Sequence, residues 1–130
     1  MNRLQQTLAT TLLSLPLMAL PVMARAHSVA THTSPANGAV LTVAPAEFQI
    51  TLNEAARLTR LTLQKMGDKA PQDIGPLPTG NVQYIAVPAP KLGPGSYVLR
   101  YRTLSGDSHI MPGAVKFTIA AGAKAATAGK

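Results

Sequence analysis

At residues 47–53 the sequence reads EFQITLN, and this stretch decides the fold class. Three apolar side chains, Phe48, Ile50 and Leu52, alternate with polar ones. Successive side chains of a β-strand point to opposite faces, so this alternation is typical of a strand with one buried face and one face in water. Residues 47–53 are therefore predicted to form a half-buried strand.

Short β-type runs recur on both sides of this strand. Clusters rich in proline and glycine separate them, such as SPANG at 34–38 and GPG at 93–95, and such clusters mark turns. Around residues 54–65 a helical period competes with the alternation. About seven short strands predict an all-β fold, an immunoglobulin-like Greek-key β-sandwich or barrel. The other predicted strand segments are 29–33, 61–63, 82–86, 97–101 and 115–119.

The composition excludes several classes of protein. The chain has 130 residues, 46% apolar and 13% charged, a balance that favours a folded domain over disorder. It contains no cysteine, which excludes disulfides, zinc ribbons, iron–sulfur clusters and a cysteine nucleophile. The net charge is +7, but the basic residues are spread singly and aromatic residues are few, so no nucleic-acid binding is expected.

Residues 1–26 have the pattern of an export signal. Arg3 precedes a run rich in leucine, and the stretch ends in Ala24-Arg25-Ala26, a small-x-small cleavage site. Pro16 and Pro21 interrupt the apolar run, which is too short for a membrane-spanning helix. We therefore expect a cleavable signal peptide and a mature protein that does not itself span the membrane.

Cleavage after Ala26 makes His27 the first residue of the mature chain. His27 then carries an α-amine and an imidazole, two nitrogens that can chelate one metal ion. The domain is expected over residues 27–120. Residues 121–130, rich in alanine, glycine and lysine, are expected to form a flexible C-terminal tail.

Asp107 and His109 form the most informative cluster of polar residues. They lie in the run SGDSH at 105–109, and residues two apart in an extended segment point the same way, towards one common point. With the two nitrogens of His27 they make a nitrogen-rich set of N and O donors, which suits Cu(II). His32 lies an odd number of residues from His27 and is expected on the opposite face, at the surface.

Taken together, these motifs resemble the CopC-like periplasmic copper-resistance proteins. The resemblance spans about residues 26–119 and implies a periplasmic Greek-key β-barrel with one Cu(II) held by His27, Asp107 and His109. It also implies that Glu54 accepts a hydrogen bond from the amine or imidazole of His27 and orients it. The matching residues are His27, TSPANG at 33–38, LNE at 52–54, LGPGSY at 92–97, SGDSH at 105–109, Gly113 and Phe117.

The chain departs from the family at residues 65–68. Some members carry a methionine-rich loop with a histidine for Cu(I), whereas KMGD at 65–68 has one methionine and no histidine. Met111 lies two residues beyond His109, and this lone methionine is expected to pack against the domain.

Three functions are compatible with these residues. The expected one is a monomeric periplasmic carrier, not an enzyme, that binds Cu(II) and exchanges it with an inner-membrane copper transport protein. The second is a copper monooxygenase acting on polysaccharide, which needs an open coordination position and a flat aromatic face; the few aromatic residues argue against it. The third is a metal-free immunoglobulin-like interaction module, which leaves the position of His27 at the cleavage site without a role.

Overall fold

The structure is a computed structural model and describes residues 29–126. These residues contain seven strands and no helix. The predicted all-β fold is confirmed. Among these residues there is accordingly no helix long and apolar enough to cross a membrane. The strands are β1 (Ala30–Ser34), β2 (Ala39–Val43), β3 (Glu47–Lys65), β4 (Gln72–Asp73), β5 (Val82–Pro88), β6 (Gly95–Ser105) and β7 (Ile110–Lys124).

Strand β3 is a single strand of 19 residues that serves both layers of the fold. Residues 47–52 pair with β1 and β5, and residues 56–65 pair with β6. Ala56, which is fully buried, pairs with Val82 of β5 on one side and Ser105 of β6 on the other. The two layers are therefore joined through the backbone of β3 itself.

Two separate strands had been predicted in this region, at 47–53 and 61–63, and this division was wrong. The segment between them contains neither glycine nor proline to end a strand. Ala56 and Leu58 are buried at alternate positions, so the pattern of the first half continues into the second. The helical period that competed over residues 54–65 has no counterpart in the structure.

A β-bulge interrupts the alternation of β3 at Thr59. The pairing with β6 shifts register between Leu58 and Arg60, which leaves Thr59 as an extra residue. The buried face consequently passes from Leu58 to Leu61. Arg57 and Arg60, three residues apart, both lie on the outer face, whereas a regular strand would place them on opposite faces.

The strands follow the order β1, β3, β6, β7, β2, and both β4 and β5 also pair with β3. Strand β2 runs parallel to β7, and its run AVLTV had not been predicted as a strand because it lacks a clear alternation. We call β1, β5 and residues 47–56 the β1/β5 layer. Residues 57–65 with β2, β4, β6 and β7 form the β6/β7 layer.

The core lies between the inner faces of these two layers. The rings of Phe48 and Phe117 have centroids 6.1 Å apart, and Tyr97 stacks on Phe117 at 5.4 Å. The Tyr97 hydroxyl donates a hydrogen bond of 2.7 Å to the carbonyl of Gly93, which ties the turn before β6 to the core. Aliphatic side chains complete the core: Ile50, Leu52, Leu58, Leu61, Leu63, Ile85, Val87, Leu99, Val115 and Ile119.

The last strand extends beyond residue 120, where the domain is expected to end. Strand β7 continues to Lys124, whose carbonyl accepts a hydrogen bond of 2.9 Å from the amide of Ala44. Residues 121–124 therefore belong to the sheet, four residues beyond the boundary expected after residue 120. Residues 125–126 follow the strand, and residues 127–130 of the expected tail lie outside the described residues, as does the expected signal peptide, 1–26.

Gly113 of β7 lies directly opposite Tyr101 of β6. The Tyr101 ring covers this glycine so closely that a β-carbon at position 113 would overlap the ring. An aromatic ring over a strand glycine covers backbone that has no side chain of its own. Packing therefore requires the glycine at this position.

Gly113→Ala should destabilise the protein by about 1–3 kcal/mol, because the new methyl group forces the Tyr101 ring out of place. Urea unfolding measures the loss. Gly106→Ala is the matched control, since a β-carbon at position 106 meets nothing within 4 Å. In a Tyr101→Leu background the same change at Gly113 should cost much less, and an equal cost in both backgrounds contradicts the proposed clash.

Candidate metal site at the β6–β7 turn

Strands β6 and β7 are joined by a tight hairpin turn. The amide of Ser108 donates to the carbonyl of Ser105 at 3.0 Å, and the amide of Ser105 donates to the carbonyl of His109, also at 3.0 Å. Ser108 has a φ of 67°, the left-handed conformation that ends a three-residue hairpin loop of this kind. The loop is therefore residues 106–108, and His109 is the first residue after it.

Three side chains of this turn form one hydrogen-bonded network. Nδ1 of His109 lies 2.7 Å from Oδ2 of Asp107. The Ser105 hydroxyl donates to Oδ1 of Asp107 and lies 3.1 Å from the carbonyl oxygen of His109. Both oxygens of the carboxylate are thus engaged, and its orientation is fixed.

The network determines how protons are distributed between Asp107 and His109. The hydrogen bond from Ser105, followed by that from His109, holds the pKa of Asp107 well below its usual range. An ionised carboxylate accepts hydrogen bonds but donates none, so Nδ1 of His109 is the donor in the 2.7 Å contact. In the neutral imidazole the lone pair then belongs to Nε2, which is the nitrogen that can bind a metal ion.

Both side chains are accessible from solvent. The Asp107 side chain is 41% exposed and that of His109 is 44% exposed, so an ion can reach them without any opening of the core. Their proximity has a different origin from the one expected: the residues do not lie in an extended segment, and the turn brings the side chains together.

Asn53 anchors the start of the described chain close to this turn. The backbone N–H of Asn53 donates a hydrogen bond to the carbonyl of Val29 at 2.9 Å. The side-chain Oδ1 of Asn53 accepts one from the backbone N–H of Val29 at 2.6 Å. Gln83 of β5 donates to the carbonyl of Asn53 at 3.2 Å. Three residues further along β3, Ala56 pairs with Ser105, the first residue of the turn.

Two further candidate residues are His27 and Glu54. His27 is outside the described residues. Glu54 is exposed on β3 between Asn53 and Ala56, and it takes no part in the hydrogen bonds of residues 29–126. Within that range no three His, Cys, Asp or Glu side chains gather as a metal site, so Asp107 and His109 stand there as a pair.

His32 and Met111 occupy strands. His32 is exposed on β1 and pairs with Thr51, five residues from Ala56, or about 16 Å along β3. Met111 is half-buried on β7, and its carbonyl accepts a hydrogen bond of 3.4 Å from the Thr103 hydroxyl.

Two residues of this region were not identified as functional from the sequence. Ser105 fixes the carboxylate, and a serine two residues before an aspartate in a turn-rich run is a signal that could have revealed it. Asn53 holds Val29, but its role depends on a contact between residues 24 positions apart in the chain, which no local pattern indicates.

The fold is that of a small β-sandwich protein with a carboxylate–imidazole pair on an exposed hairpin turn. The CopC domain model matches residues 30–120, and the chain therefore belongs to the CopC family. Proteins of this family are periplasmic copper-binding carriers and not enzymes. The expected family and protein class are confirmed.

Solved structures similar to this chain include those of two copper proteins, CopC and PcoC. CopC from Methylosinus trichosporium OB3b shares the fold at a TM-score of 0.60, with 22% identity over 73% of this chain and 95% of that protein. PcoC from Escherichia coli, a methionine-rich copper resistance protein, has a TM-score of 0.52 and 27% identity over 72% of this chain and 99% of that one. Comparison with curated protein sequences gives no match.

Ser105→Ala should raise the pKa of Asp107 towards its ordinary value, because the change removes the largest stabilisation of the charged carboxylate. A pH titration followed by the NMR signal of the Asp107 carboxyl carbon measures this. Ser108→Ala is the control, since the Ser108 hydroxyl makes no hydrogen bond within residues 29–126. An unchanged pKa in Ser105→Ala contradicts the network.

The same shift has a consequence for stability in acid. An aspartate whose pKa is lower in the folded state than in the unfolded state stabilises the fold. This stabilisation is complete at pH values above the pKa of an unfolded aspartate, about 3.9, and is lost as the pH falls towards the folded-state pKa. The acid destabilisation between neutral pH and about pH 3 should therefore be smaller in Ser105→Ala than in the parent protein.

Proposed function

We propose that this protein is a periplasmic carrier that binds one Cu(II) ion through His27, Asp107 and His109 and exchanges it with an inner-membrane copper transport protein. Copper is the cargo of the protein. The single observation that carries the proposal is the 2.7 Å contact of Asp107 with His109 on an exposed turn of a CopC-family chain.

The chemistry of the donors supports Cu(II) over Cu(I). An amine, two imidazoles and a carboxylate make a set of N and O donors, which Cu(II) prefers, whereas Cu(I) favours thiolates and thioethers. PcoC is described as methionine rich, but residues 29–126 of this chain contain only Met66 and Met111. Met66 is 65% exposed and no second methionine adjoins it in sequence.

The anchoring of Val29 supports the participation of His27. Two residues of chain span at most about 7 Å, so position 27 cannot lie further than that from Val29. Val29 is held by Asn53, which lies three residues along β3 from the residue that pairs with Ser105. This proximity makes a shared site with the turn sterically feasible.

Glu54 is proposed to orient the nitrogens of His27. It follows Asn53 on β3, is exposed, and has no hydrogen-bond partner in the described part of the chain. Outer carboxylates of this kind commonly accept a hydrogen bond from a metal-binding group and fix its direction. The periplasmic location rests on the signal-like pattern of residues 1–26 and on the location of the family.

His109→Ala should weaken Cu(II) binding at least tenfold, or about 1.4 kcal/mol, because it removes an imidazole donor. Asp107→Ala should weaken it too, by a smaller factor, because imidazole is the stronger donor for Cu(II). Isothermal titration with Cu(II) measures both. His32→Ala is the matched control: it removes an exposed histidine of the neighbouring strand and should leave the affinity unchanged.

If His109→Ala binds Cu(II) with the affinity of the parent protein, His109 on the turn is not a copper ligand. Both substitutions lie in or next to an exposed turn, so the protein should stay folded while copper binding is lost. The unfolding midpoint should fall only by what the lost hydrogen bonds of Asp107 contribute.

Retaining Ala26 on the mature protein should weaken Cu(II) binding strongly, because the added residue converts the α-amine of His27 into an amide. Mass spectrometry of the exported protein establishes the cleavage position and the copper stoichiometry, and copper titration compares the two forms. A second variant with a different single residue before His27 should bind Cu(II) as weakly as the form that retains Ala26. Equal affinity with and without the added residue rules out the amine as a ligand.

A further inference from the structure

Five of the nine lysines and arginines in residues 29–126 are gathered by the fold on one face. Register places Arg57 beside Leu104, Arg60 opposite Arg102, and Thr62 opposite Arg100. Lys116 of β7 lies beside Val98, two residues along β6 from Arg100. These basic residues lie on the outer surface of the β6/β7 layer, which we call the arginine face. Its five basic residues are Arg57, Arg60, Arg100, Arg102 and Lys116.

The other layer has the opposite character. Strands β1 and β5 and residues 47–56 of β3 contain no lysine or arginine, and they include Glu47 and Glu54. All the lysines and arginines that lie on strands therefore belong to the β6/β7 layer. Within this layer the bulge at Thr59 adds Arg60 to the outer face, because it turns Arg60 to the same side as Arg57.

The arginine face is only partly neutralised within the described chain. Arg60 forms an ion pair of 3.4 Å with Asp73, in which both side chains are largely exposed. Arg100 donates a hydrogen bond of 3.3 Å to Gln64, a neutral side chain. The guanidinium groups of Arg57 and Arg102 have no side-chain partner among residues 29–126.

The pairing of Arg60 with Arg102 is unfavourable for the isolated protein. Like charges directly opposite each other on antiparallel strands destabilise a sheet. An anion placed between them would reverse the sign of this interaction. A groove of about 260 Å³ lies at this position, lined by Arg60, Arg100 and Arg102 with Thr62, the half-buried Tyr101 and two prolines.

The arginine face is continuous with the candidate metal site. Leu104 and Ile110 pair at the end of the β6–β7 hairpin, and the turn that holds Asp107 and His109 follows directly. Arg102 lies two residues before Leu104 on the same face of β6. A partner bound along this face therefore reaches the turn without crossing the core or the other layer.

We propose that the arginine face docks an acidic segment of the protein with which copper is exchanged. That this partner exchanges copper rests on the proposed function. The arginine face itself is argued from register and charge alone. Carboxylates match guanidinium groups with paired hydrogen bonds, and complementary charge accelerates the encounter and sets the orientation. A nucleic-acid ligand fits less well, because no exposed aromatic side chain lies on these strands for bases to stack on.

The test uses the copper-free mature protein and a fluorescent oligoglutamate of about ten residues, a length able to span the face. Anisotropy at low ionic strength should give saturable binding that weakens strongly at about 0.2 M salt. Arg100→Gln with Arg102→Gln should lower the affinity about tenfold. The matched control, Lys91→Gln with Lys124→Gln, removes the same charge away from the face and should lower it by less than about threefold.

An equal loss of affinity in both double variants would overturn the proposal, because net charge alone would then explain the binding. Absence of saturable binding, or tighter binding to phosphatidylglycerol vesicles or inorganic pyrophosphate than to oligoglutamate, would also overturn it. The unfolding midpoint of Arg100→Gln with Arg102→Gln should not fall, since the change relieves repulsion.

Two cross-checks separate this proposal from the proposed copper site. His109→Ala should bind oligoglutamate like the parent protein, and Arg100→Gln with Arg102→Gln should bind Cu(II) like the parent protein. A failure of copper binding with oligoglutamate binding intact contradicts only the metal ligands. A failure of oligoglutamate binding with copper binding intact contradicts only the docking surface.

Discussion

The continuity of β3 is the constraint on which the rest of the structure depends. One strand of 19 residues must present a buried face to the β1/β5 layer and then to the β6/β7 layer, and the fully buried Ala56 is the point where both pairings meet. A larger side chain there would push two layers apart at once. The same residue sets the distance between the anchored Val29 segment and the β6–β7 turn, so core packing and the geometry of the candidate site have one common origin.

The turn itself combines a structural and an electrostatic role. Ser105 ends β6, closes the hairpin through its backbone and orients Asp107 through its hydroxyl. Because the carboxylate is ionised and held, it fixes the ring of His109 and leaves Nε2 as the nitrogen with the lone pair. A carrier must release its cargo as well as bind it, and a site of a few exposed side chains on a turn meets that requirement better than a buried cage.

Much of this could be predicted from the sequence, and the failures have physical reasons. The alternation of Phe48, Ile50 and Leu52 correctly indicated a half-buried strand. The run at 105–109 correctly indicated that the side chains of Asp107 and His109 lie close together, but it was expected to be extended and it forms a turn. The length of β3 was missed because a helical period competed with the alternation over residues 54–65. The common face of Arg57 and Arg60 was missed because of the bulge at Thr59, since a single extra residue changes which side chains share a face and leaves no mark in composition. Arg100, Arg102 and Lys116 join that face through the register of β6 with β3 and β7, which no local pattern indicates. The ligand role of His27 remains a prediction.

The anchoring of the chain at Val29 has a consequence for a protein without cysteine. Strand β1 is hydrogen-bonded to β3 alone, so the N-terminal segment is an edge that local unfolding can open more easily than the central strands. An ion held between residue 27 and residues 107 and 109 would close a loop of about 80 residues, as a disulfide does, and such long closures restrict the unfolded chain most. Under the proposed ligand set, copper acts as a removable cross-link that makes local opening of the edge strand β1 less frequent in the loaded carrier than in the empty one.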